Sequence, residues 1–161
     1  MLGRTANGLY WMFRFIERAE NTARLIDAGL RMSLTSMQSQ DEEWGSVLQS
    51  AGVFSHYMAN YDEVTSSDVV NYLLRDRDNP SSVMQTIEQA RNNGRMVRTG
   101  LTREAWEATN ECYLETKEQL RRKVPAAELP NIIDSIKQRC GLIRGAFHGT
   151  MLRNEIYNFA R

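Results

Sequence analysis

Between Leu9 and Met37 the apolar residues recur with the period of an α-helix, and no other stretch constrains the fold as strongly. Leu9, Met12, Ile16, Ala19, Ala23, Ile26, Leu30 and Met37 make one seam, which Trp11, Phe15 and Leu25 widen. A seam this broad must be covered by other elements. Opposite it, Arg14, Glu17, Glu20, Asn21 and Arg24 share an arc of about 120° at 100° per residue, with Arg18 beside them. Tyr10 and Phe13 below, and Ala28 and Met32 above, turn that face apolar again, although Asp27 and Arg31 dilute its upper end. The charged patch is therefore expected to be at least partly enclosed.

The rest of the 161-residue sequence repeats the helical signal. The first helix is expected to begin between Thr5 and Leu9 and to reach Gln38, a span of about 45 Å at 1.5 Å per residue, with a kink allowed at Gly29. Ser39 to Glu43 offers a cap and an acidic first turn for a second helix carrying Trp44, Val47, Leu48, Ala51 and Phe54. Ser66 to Asp68 caps a third, through Val69, Val70, Leu73 and Leu74, which stops in the turn Arg75 to Pro80. Pro80 suits the first turn of a fourth, with Asn79 as its cap and Val83, Ile87, Ala90, Gly94 and Val97 on its inner face. Thr102 caps a fifth bearing Trp106, Tyr113, Leu114, Leu120 and Val124. Pro125 and Pro130 bound a linker, after which Ile132, Ile133, Ile136, Cys140, Ile143 and Phe147 mark a further helix. Gly149 and Thr150 are expected to break it before a last amphipathic segment through Met151, Leu152, Ile156, Tyr157 and Phe159. No segment alternates as a half-buried strand does, so the fold class is all-α, an antiparallel bundle of about five to six helices in a single domain over 1–161.

Composition excludes several functions. Twenty basic and twenty acidic residues cancel, which argues against nucleic acid as the main partner. No apolar run approaches the ~20 residues of a membrane span, and Met1 to Arg4 leads into the amphipathic pattern without a secretory leader, so the expected address is cytoplasmic. Arginine outnumbers lysine 17 to 3; its planar fork suits paired charges between helices, although codon bias in the source genome gives the same skew. Cys112 and Cys140 form no Cys-x-x-Cys pair and are expected to be reduced, half-buried thiols.

Several stretches resemble the bacterial Alpha-E family, helical proteins named for a Glu-Arg motif. They are Leu9-Tyr10-Trp11, then Phe15 through Leu25 with Glu17-Arg18 at its centre, Asp76 through Ser82, Ala90-Arg91 with Asn93, Arg95, Val97 and Arg98, and Met151-Leu152-Arg153 with Phe159. Phe13, Asn92 and Gly94 depart from the pattern; Gly94, in mid-helix, costs ~1 kcal/mol against alanine and implies a packing reason or a tolerated loss. The resemblance covers essentially the whole chain. It implies that the chain corresponds to the N-terminal half of a duplicated protein, with 150–161 resembling the start of a second repeat. It also implies work beside ATP-grasp and transglutaminase-like enzymes, in a peptide-ligation or peptide-modification system.

The candidate site is the patch of Arg14, Glu17, Arg18, Glu20, Asn21 and Arg24. Its plain reading is structural: Glu20 and Arg24 form an i, i+4 pair worth ~0.3–0.5 kcal/mol if exposed, while Glu17 and Arg18 bond to neighbouring helices. Its functional reading is a polar cavity for an amine or carboxylate of a peptide-like ligand. Arg91, Arg95 and Arg98 line one helical face and are a second candidate, for an anion or a partner. No metal is expected, since neither His56 nor His148 follows a Glu by three residues as di-metal bundles require. No phosphate-binding glycine loop exists, so no cofactor is expected and any ATP belongs to a partner. Gly141, Gly145 and Gly149 recur every fourth residue, which lets a backbone approach closely; fraying toward a glycine cap, with His148 in a loop, is the plainer account. Three roles remain: a non-catalytic adaptor, an enzyme acting on a peptide-like amide or ester through Glu17 or Glu20 with Arg18 or Arg24, and a structural unit that self-associates as a homo-oligomer.

Overall fold

In a computed structural model, residues 2–35 and 39–150 are described, and within them every regular element is helical. In chain order these are α1 (Leu2–Thr35), α2 (Gln40–Ser50), α3 (Phe54–Met58), α4 (Ser66–Arg75), α5 (Val83–Met96), α6 (Arg103–Gln119) and α7 (Leu129–Thr150), with a 3₁₀ turn at Arg98–Gly100. The expectations for Met37, Gln38 and the segment from Met151 onward lie outside the described residues.

α1 has 34 residues, about 50 Å at 1.5 Å per residue, and runs without interruption through Gly29. Its seam is buried as the period requires: Leu9, Met12, Ile16, Ala19, Ala23 and Ile26 are all covered. α5 covers one side of it and α7 the other, and α6 packs against both, so α1, α5, α6 and α7 close into a ring. Contacts at Gly8 with Val97 and Gly94 with Met12 make α5 antiparallel to α1. Gly94 has the packing role its cost demands, because a Cβ there would stand 3.3 Å from Met12 Sδ and 3.5 Å from the Trp106 ring. α2 and α4 cover the remaining end of α1, with Trp44 and Val47 seated against Gly29.

Side-chain caps set the helix starts: the hydroxyls of Thr65, Ser82 and Thr102 accept from the backbone N–H groups of Asp68, Gln85 and Ala105. Asn79 is not a helix cap, contrary to the sequence expectation. Its amide donates to the Tyr72 carbonyl (3.0 Å) while its oxygen accepts from Ser81 N–H (3.0 Å), which ties the α4–α5 turn to α4. Tyr61 donates to Asp76 in the same turn (2.6 Å), and its ring stacks on Tyr57 with Tyr72 edge-on to both. Pro130 stands in the first turn of α7 instead of ending a linker.

Three further expectations are corrected. The helix assigned to Trp44 through Phe54 is two, since Gly52 adopts φ 71 and ends the rhythm, which gives seven helices in the described residues instead of five or six. Gly149 and Thr150 do not break the chain; α7 continues through both, and the Thr150 hydroxyl returns a hydrogen bond to the Ala146 carbonyl (2.6 Å). His148 accordingly sits in the last turn of α7, not in a loop. Cys112 and Cys140 are fully buried, not half-buried, and their thiols meet between α6 and α7. That hydrogen bond, together with burial, pushes the Cys140 thiol up.

Candidate functional site

The patch on α1 divides into one buried group and an exposed surround. Glu20 has a side chain 5% exposed, at the line where α7 lies along α1. Arg24, one turn on, donates to its Oε1 through Nε (3.2 Å) and Nη2 (2.7 Å). Arg144 of α7 closes on it from the other side, Nη1 to Oε2 and Nη2 to Oε1 (3.2 Å). Burial pushes the Glu20 carboxyl up, but the bonds from Arg144 and Arg24 outweigh it and hold the group below its ordinary range.

Arg144 belongs to a repeating seam. One heptad along α1, Asp27 accepts from Lys137 of α7 (3.1 Å), and Lys137 is one heptad before Arg144. Burial raises Asp27, and the bonds from Lys137 and Arg31 lower it further than burial raises it. At the other end Phe13 meets Phe147 with ring centroids 4.3 Å apart. Two ionic rungs and an aromatic one thus fix the register of the antiparallel pair, as heptad spacing allows. Neither Lys137 nor Arg144 was reached from the sequence.

The rest of the patch faces solvent, so the partial enclosure expected of it is confined to Glu20. Arg14 and Glu17 pair with each other at i, i+3 and are each about half exposed. Arg18 is exposed with its guanidinium over the Phe15 ring (5.9 Å), Asn21 is exposed, and Arg24 is 62% exposed beyond its bond to Glu20. Among the described residues no neighbouring helix makes a hydrogen bond or ion pair to Glu17 or Arg18. Around α7 from Arg144, Gly141 and Gly145 follow on the solvent side at 100° per residue, and a Cβ on either would meet nothing within 4 Å. The charged strip of α1 is thus bordered, beside Arg144, by two glycines of α7 one turn apart.

The second candidate does not form one site. Arg91 donates to Asn110 (2.8 Å) and lies over the Tyr113 ring (4.6 Å), which ties α5 to α6, while Arg98 lies over Trp106 (5.5 Å) and ties the 3₁₀ turn to α6; Arg95 is exposed. Three clefts stand apart from the α1 face. One of about 130 Å³ is lined by Leu30, Trp44, Val70 and Lys123, one of about 450 Å³ lies between α5 and α6, and one of about 670 Å³ is lined by Gly45, Phe54 and Val64. Among the described residues no group of three or more His, Cys, Asp or Glu side chains is placed to hold a metal ion, and no helix is long and apolar enough to cross a membrane.

A ring of helices that locks one glutamate between two arginines, and shows the remaining charges of the same helix to solvent, defines a helical-bundle protein with an outward Glu-Arg face. The chain belongs to the Alpha-E family, described as a predicted alpha-helical domain with a conserved ER motif, whose model matches residues 1–161. No curated protein and no solved structure matches it. Glu17-Arg18 is the one Glu-Arg dipeptide in the sequence.

Proposed function

We propose that this protein is a non-catalytic helical adaptor in a peptide-ligation or peptide-modification system, docking an ATP-grasp-type or transglutaminase-like enzyme through the outward face of α1. One observation carries this reading: Glu17 and Arg18, the pair of the family motif, stand exposed and, among the described residues, make no hydrogen bond or ion pair to another helix. Side chains that the fold does not need for its own packing are free for a partner. The strip at Gly141 and Gly145 beside them lets a partner helix approach closely. The resemblance supplies the class of partner.

Catalysis by the same residues has less support. An acid or base near neutral pH needs a carboxyl raised toward 7, and the buried carboxylate here is held low by two guanidinium groups. The test is titration calorimetry of the chain with the ATP-grasp protein of its own system. Wild type is expected to bind; Glu17→Ala and Arg18→Glu are expected to weaken binding about tenfold or more, as loss of a charged contact does, with circular dichroism and melting temperature unchanged. No complex, or a complex indifferent to both substitutions, overturns the proposal.

A further inference from the structure

Away from the α1 face, a groove of about 450 Å³ runs between α5 and α6. Arg75, Arg77, Lys117 and Arg121 line it against one acid, Glu88, although the chain as a whole carries no net charge. Among the described residues none of these cations is held by a buried acid. Among the described residues Arg77 makes no ion pair, and Lys117 makes none either, its ammonium lying over the Tyr113 ring (5.5 Å). Arg121 reaches only Glu118, at 3.7 Å and with both side chains about three-quarters exposed. Arg75 is the fixed member. Its Nε donates to the Leu120 carbonyl (2.9 Å), its Nη2 to the Arg121 carbonyl (3.0 Å) and its Nη1 to Asn71 (3.2 Å), which caps the end of α6 and keeps a positive charge at the groove.

We propose that this groove holds an acidic segment of another polypeptide. The cations come from separate elements. Lys117 stands on the last turn of α6, Arg121 four residues on, just past its end, and Arg77 in the α4–α5 turn. Carboxylates at alternate residues of an extended chain recur about every 6–7 Å, so one acidic segment can present successive charges to cations that come from separate elements. A phosphate would need several donors converging on one point, and Arg75, held in place on α4, has three of its five N–H donors committed to carbonyl and amide oxygens. On the wall the Tyr113 hydroxyl donates to Glu88 (3.5 Å), whose other carboxylate oxygen is left to accept from the peptide backbone.

The experiment is fluorescence anisotropy of the full chain with a fluorescein-labelled peptide of alternating Glu and Ser, at low salt, where the screening length exceeds about 10 Å. Saturable binding is expected for wild type and for Arg103→Gln, a surface control at the other end of α6. The double variant Arg77→Gln/Lys117→Gln is expected to bind at least about tenfold more weakly, with an unchanged circular dichroism spectrum, and the Gln-Ser peptide is expected not to bind. Glu17→Ala on the α1 face leaves this binding intact, so failure here is separable from failure of the adaptor proposal. Equal affinity in the double variant, absence of saturable binding, or displacement of the peptide by an equal concentration of inorganic phosphate overturns the assignment.

Discussion

Replacing Glu20 by glutamine tests the central clasp, because it keeps the side-chain volume and removes the charge that both arginines hold. Removing one partner of a fully buried ion pair costs ~3–5 kcal/mol. Arg144, however, is 42% exposed, so water screens much of that, and its share falls to about 1–2 kcal/mol. Arg24, 62% exposed, adds no more than an ordinary i, i+4 pair, ~0.3–0.5 kcal/mol. The expected loss is about 2 kcal/mol at pH 7, or roughly 4–8 °C in Tm for a domain of this size. The folded carboxyl lies below its ordinary value of 4.5, so the stabilisation is complete above that value and is lost as pH falls through the lower, folded one. Thermal and urea unfolding of wild type and Glu20→Gln should therefore differ at pH 7 and converge toward pH 3. A double-mutant cycle with Arg144→Met should give a coupling of about 1 kcal/mol or more. Equal stability at pH 7, a deficit unchanged at pH 3, or a coupling near zero refutes the clasp.

Two glycines, one buried and one exposed, should respond in opposite directions. A Cβ at Gly29 would lie 3.0 Å from both Trp44 and Val47, so Gly29→Ala is expected to push α2 off α1 and cost about 1–3 kcal/mol in urea melts despite alanine's helix preference. Gly145→Ala, with nothing within 4 Å, is expected to gain up to ~1 kcal/mol, while weakening the adaptor complex if a partner helix uses that strip. Cys112 and Cys140, both 0% exposed, are expected to resist Ellman's reagent in the native protein and to react at a rate set by unfolding; prompt labelling of either would contradict their burial.

Local periodicity revealed most of the fold and little of the site. Leu9 through Ile26 repeat at helical spacing because one stripe of α1 must be covered, and that pattern is local by nature. The split between α2 and α3 was harder, since the spacing of Trp44, Val47, Ala51 and Phe54 continues across it; only the left-handed backbone of Gly52 marks the break. At α7 glycine misled in the other direction, because Gly149 lies within a helix that continues through Thr150. The buried clasp joins residues 124 apart, so no short-range rule reaches it. A longer-range signal was present: Glu20 and Asp27 stand seven apart on α1, Lys137 and Arg144 seven apart on α7, with signs opposed. Exposure of Glu17 and Arg18 was not legible, because an i, i+3 pair and a solvated charge look alike in sequence.

The seam between α1 and α7 also sets an order of events during synthesis. The first helix leaves the ribosome before the last one exists, and about 110 residues must be added before Arg144 arrives. At ~5–20 residues per second the nascent chain waits roughly five to twenty seconds with Glu20 unclasped and half of the apolar stripe uncovered. Chaperone capture and proteolysis compete with folding in that interval, and release of α7 from the tunnel ends it.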